Sequence, residues 1–300
     1  MKCAILVNSC DKNNDAWKPF FSLFNKYWNN CPYIIYLNTE HEQYEDRNLN
    51  IITLNQKEQK NIPWGKRLKS CLKRINAEYV IFLLEDFFFL DYVDQPEIEK
   101  VIEWMDKNKN ISCFNFYVNK EIMSVDDFKF FGYGIRPKNG KYLVRCQASL
   151  WRKKDLIKYI IPSHNPWQFE KFGTELAKLY GKKFYSCINK NVCPFKYDVS
   201  IETGYGLVQG KWLTSNIDLF NKENIGCINF NNLGLISKDE VIWPIHVAPK
   251  KTIKEKVLFF LRSGDDEEPC IHFFRWLLML FYNPRRFWIL LKKKMRYLFL

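Results

Sequence analysis

The sequence predicts an α/β fold, a mostly parallel central sheet flanked by helices, on three observations. Short, nearly unbroken apolar runs at Lys2–Asn8, Tyr33–Leu37, Ile51–Leu54 and Tyr79–Leu84 read as strands buried on both faces. The stretches between the first two runs and before the fourth carry apolar residues at helical spacing, and strand–helix–strand alternation leads to parallel pairing. The fourth run ends in two acids, Glu85 and Asp86, with Asp91 and Asp94 beyond three phenylalanines. In an open α/β sheet, ligands bind just past the carboxyl ends of central strands.

The elements follow in order. After the first strand comes a polar loop, Ser9-Cys10-Asp11-Lys12-Asn13, then Trp17, Phe20, Phe21, Phe24, Tyr27 and Trp28 on one helical face. Trp64–Ile75 is a helix with Leu68, Leu72 and Ile75 inward, and it leads into the acid-tipped strand. Pro96 opens a helix to about Lys107, Ile111–Val118 is a strand, and Glu121–Lys141 reads as a loop-rich or hairpin insertion. Tyr142–Leu150 is expected to be extended, Pro166–Tyr180 a helix capped by Asn165, and Phe184–Ile188 a strand. Asn191–His246 has no clear period.

With 47% apolar and 17% aromatic residues, the 300-residue chain can bury a sizeable core, which excludes global disorder. The ten cysteines include no CxxC pair, and several lie in apolar runs; with no signal peptide ahead of the first strand, free thiols in a reducing cytosol are expected. The net charge is +13, but residues 270–300 hold seven Lys/Arg and no acid, so the body is only mildly basic. No run reaches the roughly 18 apolar residues of a membrane span.

Acids on a strand rim cost desolvation energy unless a cation or donor answers them. A divalent ion holding a diphosphate would do so, since Mg²⁺ and Mn²⁺ take oxygen ligands and bridge phosphate oxygens; a solvated acidic turn is the plain alternative. No glycine occurs in Asn8–Asn14, and Gly204, Gly206 and Gly210 have the wrong spacing for a dinucleotide fingerprint. P-loop and GxSxG motifs are absent as well.

The order of strand, Ser9–Asp11 loop, Trp64-Gly65-Lys66-Arg67 helix start and acid-tipped strand resembles a GT-A-type (Rossmann-like) glycosyltransferase, and more closely the bacterial enzymes of capsule and lipopolysaccharide (O-antigen) loci. Gln147–Arg152, Trp167-Gln168-Phe169-Glu170 and Gly210-Lys211-Trp212 are similar to segments of that family, and the resemblance covers about residues 1–250. It implies a catalytic domain over 1–250 that uses a nucleotide-diphosphate sugar, with Ser9, Asp11, Trp64, Arg67, Glu85, Asp86 and Lys211 around the donor. It further implies Mn²⁺ or Mg²⁺ on Asp86, with His246 supplying a further metal contact; His246 also reads as a satisfied core histidine. The acids here are adjacent, Leu84-Glu85-Asp86-Phe87, where the family has Asp-x-Asp. A metal-independent enzyme with Lys66 or Arg67 on the diphosphate therefore stays open, as does a solvated first helical turn for those two cations.

Glu170 is the candidate general base of an inverting transfer, its pKa raised by apolar flanks such as Trp167, Phe169 and Phe172. Its other reading is an acid favoured by the helix dipole. The rival functions are a sugar nucleotidyltransferase, which would place a glycine-rich basic loop after the first strand, and a basic nucleic-acid or membrane binder, for which no nucleic-acid module is present.

In residues 251–300, Trp288, Leu291, Met295 and Leu298 share one helical face, and Arg285, Arg286, Lys292, Lys293 and Arg296 gather on another. That pattern describes an interfacial helix on anionic lipid, and the alternative is a helix pair packed on the domain. The expected placement is the inner face of a bacterial membrane, with a glycan or lipid-linked glycan as acceptor and no nucleic-acid partner. Deleting 270–300 is accordingly expected to abolish salt-sensitive co-sedimentation with anionic vesicles while sparing donor hydrolysis. Equal sedimentation of full-length and truncated protein would assign the tail to domain packing.

Overall fold

The computed structural model describes residues 1–55, 62–118, 130–197, 205–226 and 228–241, together with Trp288 and Lys292. His246 and the tail expected on membranes thus lie outside the described residues, apart from those two exposed positions. An eight-stranded sheet organises the rest, in the order β3-β2-β1-β4-β7-β5-β8-β6. Its members are β1 (Cys3–Asn8), β2 (Ile35–Asn38), β3 (Ile51–Leu54), β4 (Tyr79–Leu84), β5 (Ile111–Val118), β6 (Tyr133–Ile135), β7 (Ser149–Arg152) and β8 (Lys183–Cys187). The first four run parallel, as do β5 and β8; β7 runs antiparallel between β4 and β5, and β6 is antiparallel to β8.

Strand alternation explains the continuous apolar runs, because both sheet faces are covered. Cys3, Ile5, Val7, Tyr79, Ile81 and Leu83 face one cluster, which holds α1 (Trp17–Tyr27) and α3 (Gln95–Lys107). Ala4, Leu6, Val80 and Phe82 face the other, with α2 (Trp64–Arg74), α4 (Lys153–Tyr159) and α5 (Pro166–Tyr180). The helix after β1 and the helix before β4 thus cover opposite faces of two adjacent parallel strands. This is a topological switch point, where the connecting loops diverge and leave a crevice beyond the carboxyl ends of β1 and β4.

At the other end of the sheet, Arg152 is fully buried. Its guanidinium donates to the Tyr79 hydroxyl at 3.0 Å and the Met105 carbonyl at 2.6 Å, and pairs with Glu78 at 3.2 Å. This ties β7 to β4 and α3 away from the crevice.

The span without a clear period contains a three-stranded sheet of β9 (Leu207–Val208), β10 (Lys211–Leu213) and β11 (Leu235–Ile236), with α6 (Ser215–Lys222) and α7 (Phe230–Leu233). Strands of two or three residues are too short to show a period. The segment expected to be extended from Tyr142 becomes a strand only at Ser149. Before that point its amides are taken by α5 side chains, Val144 N by Thr174 Oγ1 at 3.1 Å and Cys146 N by Glu170 Oε1 at 2.8 Å, and not by a neighbouring strand. Among the described residues the cysteines are free thiols, and no helix is long and apolar enough to cross a membrane.

The start of α2 is pressed onto the loop that leads into α5. Gly65 N donates to the His164 carbonyl at 2.9 Å, and a β-carbon at Gly65 would lie 2.3 Å from the Ile161 carbonyl oxygen. In a free helix Gly→Ala gains about 1 kcal/mol; here a backbone collision outweighs it. Gly65→Ala is expected to lower stability by about 1–3 kcal/mol, read as a fall in the urea midpoint. A rise would show that the two helix starts are not in contact.

Candidate active site

The crevice beyond β1 and β4 divides into two neighbourhoods. In the first, the loop after β1 is fastened to the loop after β2. Asp11 accepts from the backbone amides of Glu40 and His41 at 2.9 Å each, and its own amide donates to Glu40 Oε2 at 2.6 Å. Partial burial opposes ionisation of Asp11, but the amides of His41, Glu40 and Glu42 outweigh it and hold the carboxyl below its ordinary value. Ser9 is buried and its Oγ accepts from the Trp17 indole at 2.6 Å. Arg67, on the first turn of α2, is buried as well, with Nη1 2.6 Å from Glu40 Oε1. That contact is an ion pair without hydrogen-bond alignment, and Arg67 Nε has no partner.

Glu85 closes this neighbourhood from the end of β4. It is 4% exposed, and Oε1 accepts from Asn13 Nδ2 at 2.7 Å. Burial pushes its pKa up, and Asn13, Ser9 and the charge of Arg67 offset part of that rise. Glu85 is therefore supported by protein groups on the side of the β1 loop.

Asp86 points into the second neighbourhood and has no such support. Its Oδ1 is buried without a hydrogen-bond partner, and burial, followed by the adjacent charge of Glu85, pushes its pKa well up. Its carbonyl accepts from Gly206 N at 2.5 Å, which brings the segment before β9 against the acid. A β-carbon on Gly206 would meet the Phe88 ring at 2.7 Å, so only glycine permits this approach.

Glu170, in the second turn of α5, belongs to the same neighbourhood. Oε1 is held by the amide of Cys146. Burial raises its pKa, against the Cys146 amide and the nearby positive charge of Arg145. Asp86 and Glu170 both act electrostatically on the Cys146 thiol and on the Tyr205 hydroxyl, so the two acids share one environment. Phe169 is buried against the Trp64 ring, 5.4 Å between centroids, whereas Trp167, expected among the apolar flanks, is 65% exposed at the helix start.

Lys211 is exposed on β10, within electrostatic reach of Glu240. The hairpin it follows does approach the β1 loop, because the Lys12 ammonium lies 3.2 Å from where a β-carbon of Gly210 would stand. Lys66 is exposed on α2. A depression of about 360 Å³ lined by Thr214, Ser215, Asp218 and Ser237 shares no residue with the acids.

Sequence reading did not single out Asn13, Glu40, Arg145 or Tyr205 as site residues. Asn13 lies in the polar loop that was noted, and Tyr205 lies between the two glycines Gly204 and Gly206. Glu40 and Arg145 carry no local signal, since what brings them to the acids and the β1 loop is proximity across 25 residues or more.

For a divalent ion, the donor set of the described residues is sparse. Among them no three His, Cys, Asp or Glu side chains are grouped to hold one. The unpartnered Oδ1 of Asp86 does fit a single carboxylate ligand, which suffices for Mg²⁺-type ions that draw their other ligands from phosphate and water.

Three raised acids fix the sign of the pH dependence. In the unfolded chain Glu ionises near 4.5 and Asp near 3.8, so above those values the unfolded state binds fewer protons than the native one. Stability contributed by the neutral acids is then lost as pH rises toward their raised values. Asp86→Asn and Glu170→Gln are each expected to raise the melting temperature at pH 7, with the gain shrinking toward pH 4. A gain that grows on acidification would mean the acids are charged and paired in the native state.

No protein-family model matches the chain, and no curated protein matches it. Solved structures do show likeness. Staphylococcus aureus TarS 1–349 in complex with UDP-GlcNAc aligns at 12% identity and a TM-score of 0.46, covering 90% of this chain and 69% of that one. TarS 1–349 alone aligns at 13% and 0.42, over 63% of this chain and 59% of that one, so the match spans about three fifths of TarS 1–349. A cytidylyltransferase from Leptospira borgpetersenii serovar Hardjo-bovis aligns at 12% and 0.40, over 63% and 77%. Likeness at this level says nothing of the reaction.

Proposed function

We propose that this protein is a glycosyltransferase that moves a sugar from a nucleoside-diphosphate sugar to a hydroxyl of a glycan acceptor with inversion. The observation that carries the reading is a pair of half-buried acids from different elements, Asp86 just past the end of β4 and Glu170 on α5. They share one environment at the switch point of the sheet.

The nucleoside side of the donor would lie in the neighbourhood of Ser9, Asp11, Asn13, Glu40, Arg67 and Glu85, where buried and half-buried polar groups already oppose one another. The reacting sugar would lie by Asp86 and Glu170. With Oε1 fixed by the Cys146 amide, Glu170 keeps Oε2 to accept the proton of the acceptor hydroxyl. The acceptor oxygen forms its bond to the anomeric carbon as the bond from that carbon to the phosphate oxygen breaks, and the electron pair leaves on the nucleoside diphosphate. Burial, by raising the pKa of Glu170, brings its basicity toward the working pH. Orienting donor and acceptor for in-line attack can contribute about 7–11 kcal/mol.

Mn²⁺ or Mg²⁺, if used, would be held by Asp86 and phosphate oxygens, and would offset charge on the departing diphosphate. The exposed Trp167 ring, three residues before Glu170, is placed to lie against the apolar face of an acceptor sugar. The acceptor is proposed to be lipid-linked at an anionic membrane surface, on the strength of the basic aromatic sequence of 270–300.

A panel of UDP-, GDP-, CMP- and dTDP-sugars, read by donor hydrolysis and thermal shift, tests the reading. One donor is expected to be hydrolysed, and Glu170→Gln is expected to bind it normally while turnover falls at least ~10²-fold. Release of pyrophosphate from a nucleoside triphosphate, with no sugar donor cleaved, would assign a nucleotidyltransferase. Full activity in EDTA would remove the metal from Asp86.

A further inference from the structure

Arg145 is the cation at the acid cluster that no other role absorbs. Its guanidinium lies over the Tyr117 ring at 5.0 Å and the Tyr142 ring at 5.2 Å, and its Nε donates to the Tyr142 carbonyl at 3.2 Å. Tyr142 has φ 51°, a left-handed conformation that costs a non-glycine residue about 1–3 kcal/mol and persists only where its surroundings fix it. Two rings and a carbonyl therefore hold the guanidinium in one orientation. Among the described residues no carboxylate lies within ion-pair distance of Arg145, and neither Nη makes a hydrogen bond. Its charge nonetheless reaches Glu170 and Tyr205, and Tyr205 in turn feels Asp86.

The other basic candidates near the crevice are placed differently. Arg67 is buried and faces Glu40 and Glu85 on the side of the β1 loop, and Lys66 and Lys211 are exposed. A planar guanidinium oriented by two rings and a carbonyl, its Nη groups without a hydrogen-bond partner among the described residues, is the geometry that binds phosphate oxygens through paired donors. We infer that Arg145 is a catalytic residue that binds the diphosphate of the donor and takes up the charge formed as the sugar departs. The step rests on the transfer proposed above. As the bond from the anomeric carbon to the phosphate oxygen breaks, its electron pair stays on that oxygen, which accepts from the Nη–H groups. The acceptor's proton goes to Glu170.

Inorganic pyrophosphate is the probe, because it carries the phosphate chemistry and no sugar, so its binding is independent of whether transfer occurs. Titration calorimetry in EDTA is expected to show wild-type binding weakened at least tenfold in Arg145→Gln, with Arg145→Lys recovering only part. A thermal melt of each variant accompanies the titration. If either variant fails to fold, the native protein still decides: pyrophosphate is expected to protect Arg145 from phenylglyoxal, read by peptide mass spectrometry. Undiminished binding by Arg145→Gln, or modification of Arg145 unaffected by pyrophosphate, overturns the assignment. So does loss of binding confined to a hexose phosphate, which would place Arg145 on an acceptor. Pyrophosphate bound through Arg145 with no sugar transferred from any donor would leave this site standing and overturn the proposed function.

Discussion

Everything in the crevice depends on the parallel pairing of β1 with β4, six residues against six from Cys3↔Tyr79 to Asn8↔Leu84. Because that pairing is in register to its last residue, the polar loop after Asn8 and the acids after Leu84 emerge side by side. The helices leave by opposite faces, so the loops diverge from one another. Each strand can be this apolar because it is covered on both sides, and each fully buried side chain contributes about 1.5–3 kcal/mol. The adjacent acids are thereby divided between two environments: the turn that follows Leu84 sets Glu85 toward Asn13 and Arg67, and Asp86 toward Tyr205.

That division has an energetic asymmetry. Glu85 is buried with donors around it, as a satisfied polar group in a folded interior should be. Asp86 and Glu170 are half-buried, with one Asp86 oxygen buried and unpartnered and one Glu170 oxygen on a single amide, and the surrounding fold tolerates the deficit. Support remote from the crevice includes the fully bonded Arg152 at the opposite end of the sheet. A group left short of partners in an otherwise satisfied interior is available to a ligand at little cost in reorganisation.

Much of this architecture was legible from residue type and period. Tyr79–Leu84 is an uninterrupted apolar run and β4 occupies it; Asn165 and Pro166 announce α5, and the structure adds a capping box between Asn165 and Gln168. The acids at the end of β4 and Glu170 stood out by position. What could not be read is set by side chains meeting across the chain. Tyr142–Gln147 looks extended, but Thr174 and Glu170 claim its amides, a substitution of helix side chains for strand partners that leaves no periodic trace. The small sheet escaped because its strands are shorter than one alternation, and the Arg145 stack because two tyrosines 25 residues apart frame it.

The three phenylalanines after Asp86 have separate destinations. Phe87 meets Tyr197 and Tyr205, Phe88 stacks on Trp212, and Phe89 packs among Phe20, Phe24 and Phe195. The small sheet is therefore moored by its inward side chains, Leu207 and Trp212 in the main core with Phe88 stacked on Trp212, and by one backbone contact at Gly206. Mooring and display are in this way assigned to different atoms. The exposed Lys211 stands on the outer side of the wall this sheet forms, so a change there leaves the wall, and the acids beside it, in place.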